Sequence, residues 1–177
     1  MNEIYKPDLD SVLLLELAEK VTFDKVLEIG IGSGFVLYHL VKREKKDGFG
    51  TDISEKAAYE ASIRNATENV DIVITDCASC FRDSIFDLVV INPPYLRGDY
   101  ESDRSIFGGK NGIEVAWRMI SDGLRVLKRS GVMFFVISSL TKYKEIIDRI
   151  SGRFTITKEK EEKIFFESLI VFKVRKT

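Results

Sequence analysis

Apolar residues come along this chain in two rhythms, short unbroken runs and helically spaced stripes, and the two alternate. Lys25 to Ile29 (KVLEI), Phe86 to Ile91 and Val132 to Ile137 are compact runs of the kind a strand buried on both faces needs. Gly48 to Asp52 reads as a further strand with Asp52 at its C-terminal end. Val70 to Ile74 alternates, as a strand nearer a sheet edge does, and stops at Thr75-Asp76. Between the strands lie helical patterns. Val12 to Ala18 follows Asp10 or Ser11 as a cap, and Phe35 to Val41 ends in the charged, solvated run Lys42 to Lys46. Ser54 caps a helix with Ala57, Ala58, Ala61 and Ile63 as its apolar positions. In Asn111 to Leu127 the residues Ile113, Trp117, Ile120, Leu124 and Leu127 keep helical spacing, and Gly131 closes the turn that follows. Lys142 to Ile150 is ended by Gly152. Two final strands, Phe154 to Thr157 and Glu167 to Val174, flank the charged connector Lys158 to Lys163. That connector is too short for a parallel crossover, so the two should pair antiparallel. The pattern predicts an α/β fold: a doubly wound, mostly parallel seven-stranded sheet closed by a C-terminal antiparallel hairpin.

At 177 residues the chain reads as one domain over 1–177. A leading segment and helix occupy 1–22, a ligand-binding half 23–95, and a long polar loop with the C-terminal half 96–177. Apolar residues make up 45% and charged ones 31%, which excludes a disordered chain. The 27 Lys and Arg nearly balance the 28 Asp and Glu, which argues against a broad nonspecific nucleic-acid footprint and leaves room for a local patch. No apolar run approaches the roughly 20 residues of a membrane span. MNEIYKPDLD lacks the basic start and apolar middle of a signal peptide, so a cytoplasmic protein is expected. Cys77 and Cys80 form a C-x-x-C pair that could be a redox couple or half a zinc site. Zinc wants about four ligands and His39 is the single histidine, so two reduced thiols are the simpler reading and no metal is expected.

Two stretches carry candidate chemistry. The run Phe86 to Ile91 halts at Asn92-Pro93-Pro94-Tyr95. Successive prolines cannot donate to a ladder, and Pro94 forces Pro93 into an extended conformation. A buried strand thus delivers an amide, free carbonyls and an aromatic ring to the sheet edge where open α/β sheets bind ligands. The other stretch is Glu28-Ile29-Gly30-Ile31-Gly32-Ser33-Gly34, a strand passing into a glycine turn and a helix. Such a turn alone fits NAD, FAD or S-adenosylmethionine. Its spacing is not the dinucleotide G-x-G-x-x-G, and Glu28 would repel a pyrophosphate and welcome an ammonium. Asp52 ends the second strand where a carboxylate can accept from both hydroxyls of a ribose, and Asp76 ends the third where it can accept from an adenine amino group.

Together, Glu28 to Gly34, Asp52, Asp76 and Asn92-Pro93-Pro94-Tyr95 resemble a class I S-adenosylmethionine-dependent methyltransferase with a Rossmann-like fold. Tyr5-x-Pro7-x-x-Asp10-Ser11 and Gly108-Gly109-Lys110-Asn111-Gly112 are similar to segments of HemK-like glutamine methyltransferases of release factors. The compact chain is closest to the archaeal and eukaryotic branch; bacterial members carry an extra N-terminal helical domain. Ser11 stands where the family has Thr, Ser54-Glu55 where Asn-Pro is common, and Cys77 where Leu is frequent.

The resemblance implies a cofactor-binding set of Ser11, Glu28, Gly30, Gly32, Gly34, Asp52, Ile53, Asp76, Cys77 and Asn92, the Cys77 backbone meeting adenine. It implies a substrate set of Asn92, Pro93, Pro94 and Tyr95, with Asn92, Pro93 and Tyr95 catalytic. The expected reaction is methylation of a glutamine amide in the Gly-Gly-Gln loop of a class I release factor. A small zinc-ribbon activator is the expected partner, with Val70 to Ile74 as its candidate docking edge. The alternatives are an adenine-N6 methyltransferase on DNA or RNA, a protein lysine methyltransferase, a non-catalytic cofactor-binding subunit, or an NAD-dependent oxidoreductase.

Overall fold

The computed structural model describes residues 8–44, 46–66, 69–99, 103 and 106–176. Tyr5, Lys6 and Pro7 lie outside them. The elements follow the order α1 (Leu9–Ala18), β1 (Lys25–Ile29), α2 (Phe35–Glu44), β2 (Asp47–Asp52), α3 (Glu55–Arg64), β3 (Val70–Ile74) and β4 (Phe86–Ile91). Then come α4 (Glu114–Val126), β5 (Leu127–Ser138), α5 (Tyr143–Ile150), β6 (Phe154–Ile164) and β7 (Glu167–Lys176). One seven-stranded sheet results, ordered β3-β2-β1-β4-β5-β7-β6. The strands from β3 to β5 pair in parallel, and β7 pairs antiparallel with both β5 and β6. The expected doubly wound sheet with an antiparallel C-terminal hairpin is the one observed.

Alternation along the strands divides the core into two layers. Leu27, Ile29, Val89, Ile91, Met133 and Phe135 join α4 and α5 on one face, while Val26, Leu88, Val90, Val132 and Phe134 join α1 and α2 on the other. Fully buried Phe86, Phe134, Phe135 and Ile120 are the bulk of these layers, each contributing roughly 1.5–3 kcal/mol by leaving water. The chain steps outward from β1 through β2 to β3, then crosses back to set β4 on the other side of β1. That reversal opens a crevice at the C-terminal ends of β1 and β4, where loops can diverge without covering the strand tips.

Four expectations are corrected. The cap of α1 is Asp8, whose carboxylate accepts from the Leu9 N–H, so Asp10 and Ser11 fall inside the first turn and are buried. Ile63 is exposed rather than apolar core, because α3 covers the sheet only through Ala57, Ala58 and Ala61. Lys128 to Gly131 is not a helix-closing turn. It bulges out of β5, whose pairing to β4 jumps from Phe86–Leu127 to Leu88–Val132. Nor is Lys158 to Lys163 a connector. It continues β6, since an edge strand exposed to water tolerates charge, and the turn falls at Phe165-Phe166.

Candidate active site

A cleft of about 570 Å³ lies along the C-terminal ends of β1, β2, β3 and β4. Every residue singled out for the site lines it except Gly34. A Cβ on Gly34 would lie 2.5 Å from the Asn65 side chain and 3.1 Å from Ala61, so this glycine lets α2 start against α3 rather than touching a ligand. Gly32 (φ +50°) has open space where a Cβ would project. The Gly30 and Ile31 N–H groups both donate to the Thr51 carbonyl at 2.8 Å, which ties the turn to β2.

Carboxylates stand at the ends of three adjacent strands. Glu28, on the β1 face turned to α2, is 4% exposed and accepts from the Leu37 N–H at 2.8 Å, capping that helix. Burial, aided by the charge of Asp52, pushes its carboxyl up to about 8 despite that bond. Asp52 accepts from the Gly32 N–H at 3.0 Å and the Ser54 N–H at 2.9 Å, so it binds the turn to the start of α3. Its carboxyl is likewise raised, by burial. Asp76 is half-exposed and meets the Arg118 guanidinium at 3.1 Å, while the Cys77 thiol donates to it at 3.3 Å. Burial and then that carboxylate push the Cys77 thiol up to about 12, so it is not a nucleophile. Thr51 Oγ1 is buried beside the cleft with no partner among the described residues. Row, open turn and orphaned hydroxyl fit a ligand rich in hydrogen-bond donors.

Beyond β4 the chain forms a rigid lip. Asn92 Nδ2 donates to Ser11 Oγ at 3.3 Å, leaving the amide oxygen as the end turned elsewhere. The Tyr95 hydroxyl donates to Asp10 at 3.3 Å, and Asp10 is 3% exposed. Burial, with the charges of Asp10 and Glu167, raises that hydroxyl well above its ordinary value, so it stays protonated. Consecutive residues of α1 thus hold the two ends of Asn-Pro-Pro-Tyr. From the other side the loop after Tyr95 folds back, with the Gly108 N–H donating to the Leu96 carbonyl at 2.8 Å. A Cβ at Gly108 would fall 2.4 Å from the Pro94 carbonyl oxygen, and one at Gly112 (φ +75°) 2.5 Å from that of Tyr95. The glycine segment is therefore a close buttress for the lip.

Sequence reasoning missed the polar stripe of α4. Arg118 reaches Asp76, Asp122 accepts from the Ala78 N–H at 2.6 Å, and Arg125 donates to the Ala78 and Phe81 carbonyls and to Asp83, each at 2.8 Å. These bonds hold the turn that carries Asp76 and Cys77. The polar positions 118, 122 and 125, one helical turn apart, were the available signal. Trp117 is only half-buried, with Arg149 over its ring at 5.2 Å. The thiols of Cys77 and Cys80 are free, and no cluster of three or more metal-binding side chains occurs among the described residues. No helix among them is long and apolar enough to cross a membrane.

A Rossmann-like sheet with a glycine turn, an acidic row and an Asn-Pro-Pro-Tyr lip is methyltransferase architecture, and comparison with known proteins agrees. Residues 5–166 match the family described as "Methyltransferase small domain", and the chain belongs to it. A relative named as a protein N5-glutamine methyltransferase in Methanocaldococcus jannaschii is 33% identical over 96% of this chain and 90% of its own. A release factor glutamine methyltransferase of Thermodesulfovibrio yellowstonii is 29% identical over 66% of this chain. The match takes in 47% of that relative, so the chain spans about half its length. Among solved structures, the E. cuniculi Mtq2–Trm112 complex, described as methylating the termination factor eRF1, superposes with a TM-score of 0.80. That match has 24% identity and covers 98% of this chain and 99% of that one. The resemblance read from the motifs is borne out, and the chain is a methyltransferase.

Two outcomes follow from this geometry. The folded protein keeps a proton on Glu28 between about pH 4.5 and 8 that the unfolded chain has released, so stability falls as pH rises through that window. Glu28→Gln keeps an acceptor for Leu37 and cannot ionise; urea denaturation at pH 5, 6.5 and 8 should show a weaker pH dependence than the parent. Gly112→Ala should destabilise by at least about 1 kcal/mol, through its positive φ and the Tyr95 carbonyl, and lower methyl transfer. A melt and an initial-rate assay on the same sample check both effects.

Proposed function

We propose that the chain transfers a methyl group from S-adenosylmethionine to a glutamine side-chain amide, that of the Gly-Gly-Gln loop in a class I release factor. The observation that carries this reading is the lip itself, with Asn92 and Tyr95 each held from α1 at the open end of β4. The relatives named as glutamine and release-factor methyltransferases support the substrate class.

The cleft fits the donor. Glu28 suits an ammonium, whose charge would favour the ionised form of its raised carboxyl, Asp52 the hydroxyls of a ribose, and Asp76 with the Cys77 backbone an adenine edge; Arg118 would yield part of its hold on Asp76. When bound, S-adenosylmethionine supplies an electrophilic methyl on sulfur. The protein's task is then to make a poor nucleophile attack, because the amide lone pair is delocalised into its carbonyl. The Asn92 side-chain oxygen and the Pro93 carbonyl would accept both N–H bonds of the glutamine amide, favouring positive charge as it builds on nitrogen. Tyr95, its hydroxyl committed to Asp10, offers a ring face on which the planar amide rests. Fixing that geometry in advance can supply on the order of 7–11 kcal/mol of the barrier. The alkylated nitrogen loses its proton readily, so no histidine or thiolate base is needed.

A small zinc-ribbon activator is part of the reading, with β3 as its docking edge. β3 ends the sheet, its outer backbone paired by no strand among the described residues, and Ile74 is exposed there. Trm112, the second subunit of the superposing complex, supports such a partner.

The decisive assay incubates the protein with labelled cofactor, a class I release factor and RNA side by side, and locates the methyl by mass spectrometry. Label on the Gly-Gly-Gln amide is expected; label confined to RNA or to lysine rejects the reading. Asn92→Ala should abolish transfer while leaving cofactor affinity within about twofold, whereas Asp52→Ala should weaken the cofactor at least tenfold. Equilibrium binding beside single-turnover rates separates the two. Co-expression with the activator should give a one-to-one complex of higher activity, checked by gel filtration and rate.

A further inference from the structure

The tip of the C-terminal hairpin departs twice from what such a turn ordinarily holds. Pairing runs down to Ile164–Glu167, which leaves Phe165 and Phe166 as a two-residue turn. Phe165 takes φ +44°, where a hairpin turn normally places glycine and a bulky side chain is strained. Both rings also stand in water, 89% and 96% exposed, although the chain's ten other phenylalanines are all buried or half-buried. Strain and exposed aromatic surface at one spot are features that a folded chain retains for use rather than for stability.

The position of the tip says what that use is. β7 begins where β5 ends, at the cleft edge of the sheet, with Ser138 paired to Leu169. The residues flanking the turn reach the catalytic lip. Glu167 accepts a hydrogen bond from the Ser138 hydroxyl and its charge bears on Tyr95, while Ile164 packs on the same apolar layer as Tyr95. The support is braced, because Lys160 pairs with Glu16 of α1 at 2.6 Å and the Ser168 N–H donates to Ser139 Oγ at 2.8 Å. The rings therefore project, on a fixed arm, beside the Asn-Pro-Pro-Tyr end of the cleft and away from Asp52 and Asp76 on β2 and β3.

We propose that Phe165 and Phe166 form a docking prong for the protein substrate, seating in an apolar patch next to the loop that presents the methyl-accepting amide. This deepens the glutamine-methyltransferase reading and rests on it. No residue of β6, β7 or their turn lines the cleft, so the prong lies beyond the reach of a small ligand within it and its occupant is a macromolecule. Charge selects polypeptide over nucleic acid. The six charged residues Lys158 to Lys163 balance, and Lys158 and Lys160 are engaged by Glu161 and Glu16, so among the described residues of the hairpin no cationic track for a phosphate backbone accompanies the rings. Exposed aromatics without such a track are protein hot-spot chemistry.

The test is the double variant Phe165→Gly, Phe166→Ser, which gives the turn residues its backbone favours and so preserves the hairpin. Methyl transfer is measured to a purified class I release factor and to a short synthetic peptide spanning its Gly-Gly-Gln loop. The expected result is a loss of at least tenfold in kcat/KM on the intact factor, carried mainly by KM, with peptide turnover and cofactor affinity unchanged. Parental kinetics on the intact factor would overturn the prong. So would equal losses on factor and peptide, which would mean a structural role. A parent protein that methylates neither brings down the glutamine reading and the prong with it. A parent active on RNA, with that activity lost in the variant, would assign the rings to base stacking and reject the proposal.

Discussion

Two adjacent prolines at the end of β4 set the condition on which the rest depends. They cannot donate to a ladder, so the sheet stops there and the carbonyls beyond it are left without strand partners. A free strand end would ordinarily be a loose one. Here it is gripped from α1 through Ser11 and Asp10 and buttressed from below by Gly108 and Gly112 at contact distance. Rigidity is therefore imposed from two sides on a segment whose prolines fix φ but which lies beyond the hydrogen-bonded ladder. Fixed acceptors cost no reorganisation when charge develops, which is what attack by a weakly nucleophilic amide requires.

The other half of the cleft works by an opposite device. Glu28 and Asp52 are withdrawn from water, and burial disfavours their charged forms. Each faces the cleft and also holds the fold, since Glu28 caps α2 and Asp52 joins the glycine turn to α3. The same bonds that hold the turn in shape orient these carboxylates toward the space a ligand would occupy. Asp76 is different in kind: half-exposed and balanced by Arg118, it is carried on a turn that α4 holds through Asp122 and Arg125.

Where burial and periodicity agree, the fold was legible from sequence. The runs at Lys25, Phe86 and Val132 could be little else than central strands, and the acidic residues at the ends of β1, β2 and β3 were readable from strand polarity. Where one residue is pulled two ways, it was not. Asp8, Asp10 and Ser11 are all good helix caps, and only tertiary contact sends the last two inward to Tyr95 and Asn92. Lys158 to Lys163 looked like a loop because six charges in a row do not resemble a strand, yet an edge has water on one side. Gly34 was grouped with its neighbours in the turn, although its small size serves the packing of α2 on α3. The grip of α4 on the segment from Asp76 to Asp83 depends on contacts more than forty residues apart, which helical spacing alone cannot announce.

The two margins of the sheet are unlike, and the difference has a consequence for solubility. β6 presents Lys158, Glu159, Lys160, Glu161, Glu162 and Lys163, a charged fringe that discourages any foreign strand from adding to it. β3 presents Val70, Ile72, Val73 and Ile74 with Asp71 as its lone charge. Strand addition by a second chain is thus open at β3 and opposed at β6, and a partner seated along β3 would close the one edge that invites it.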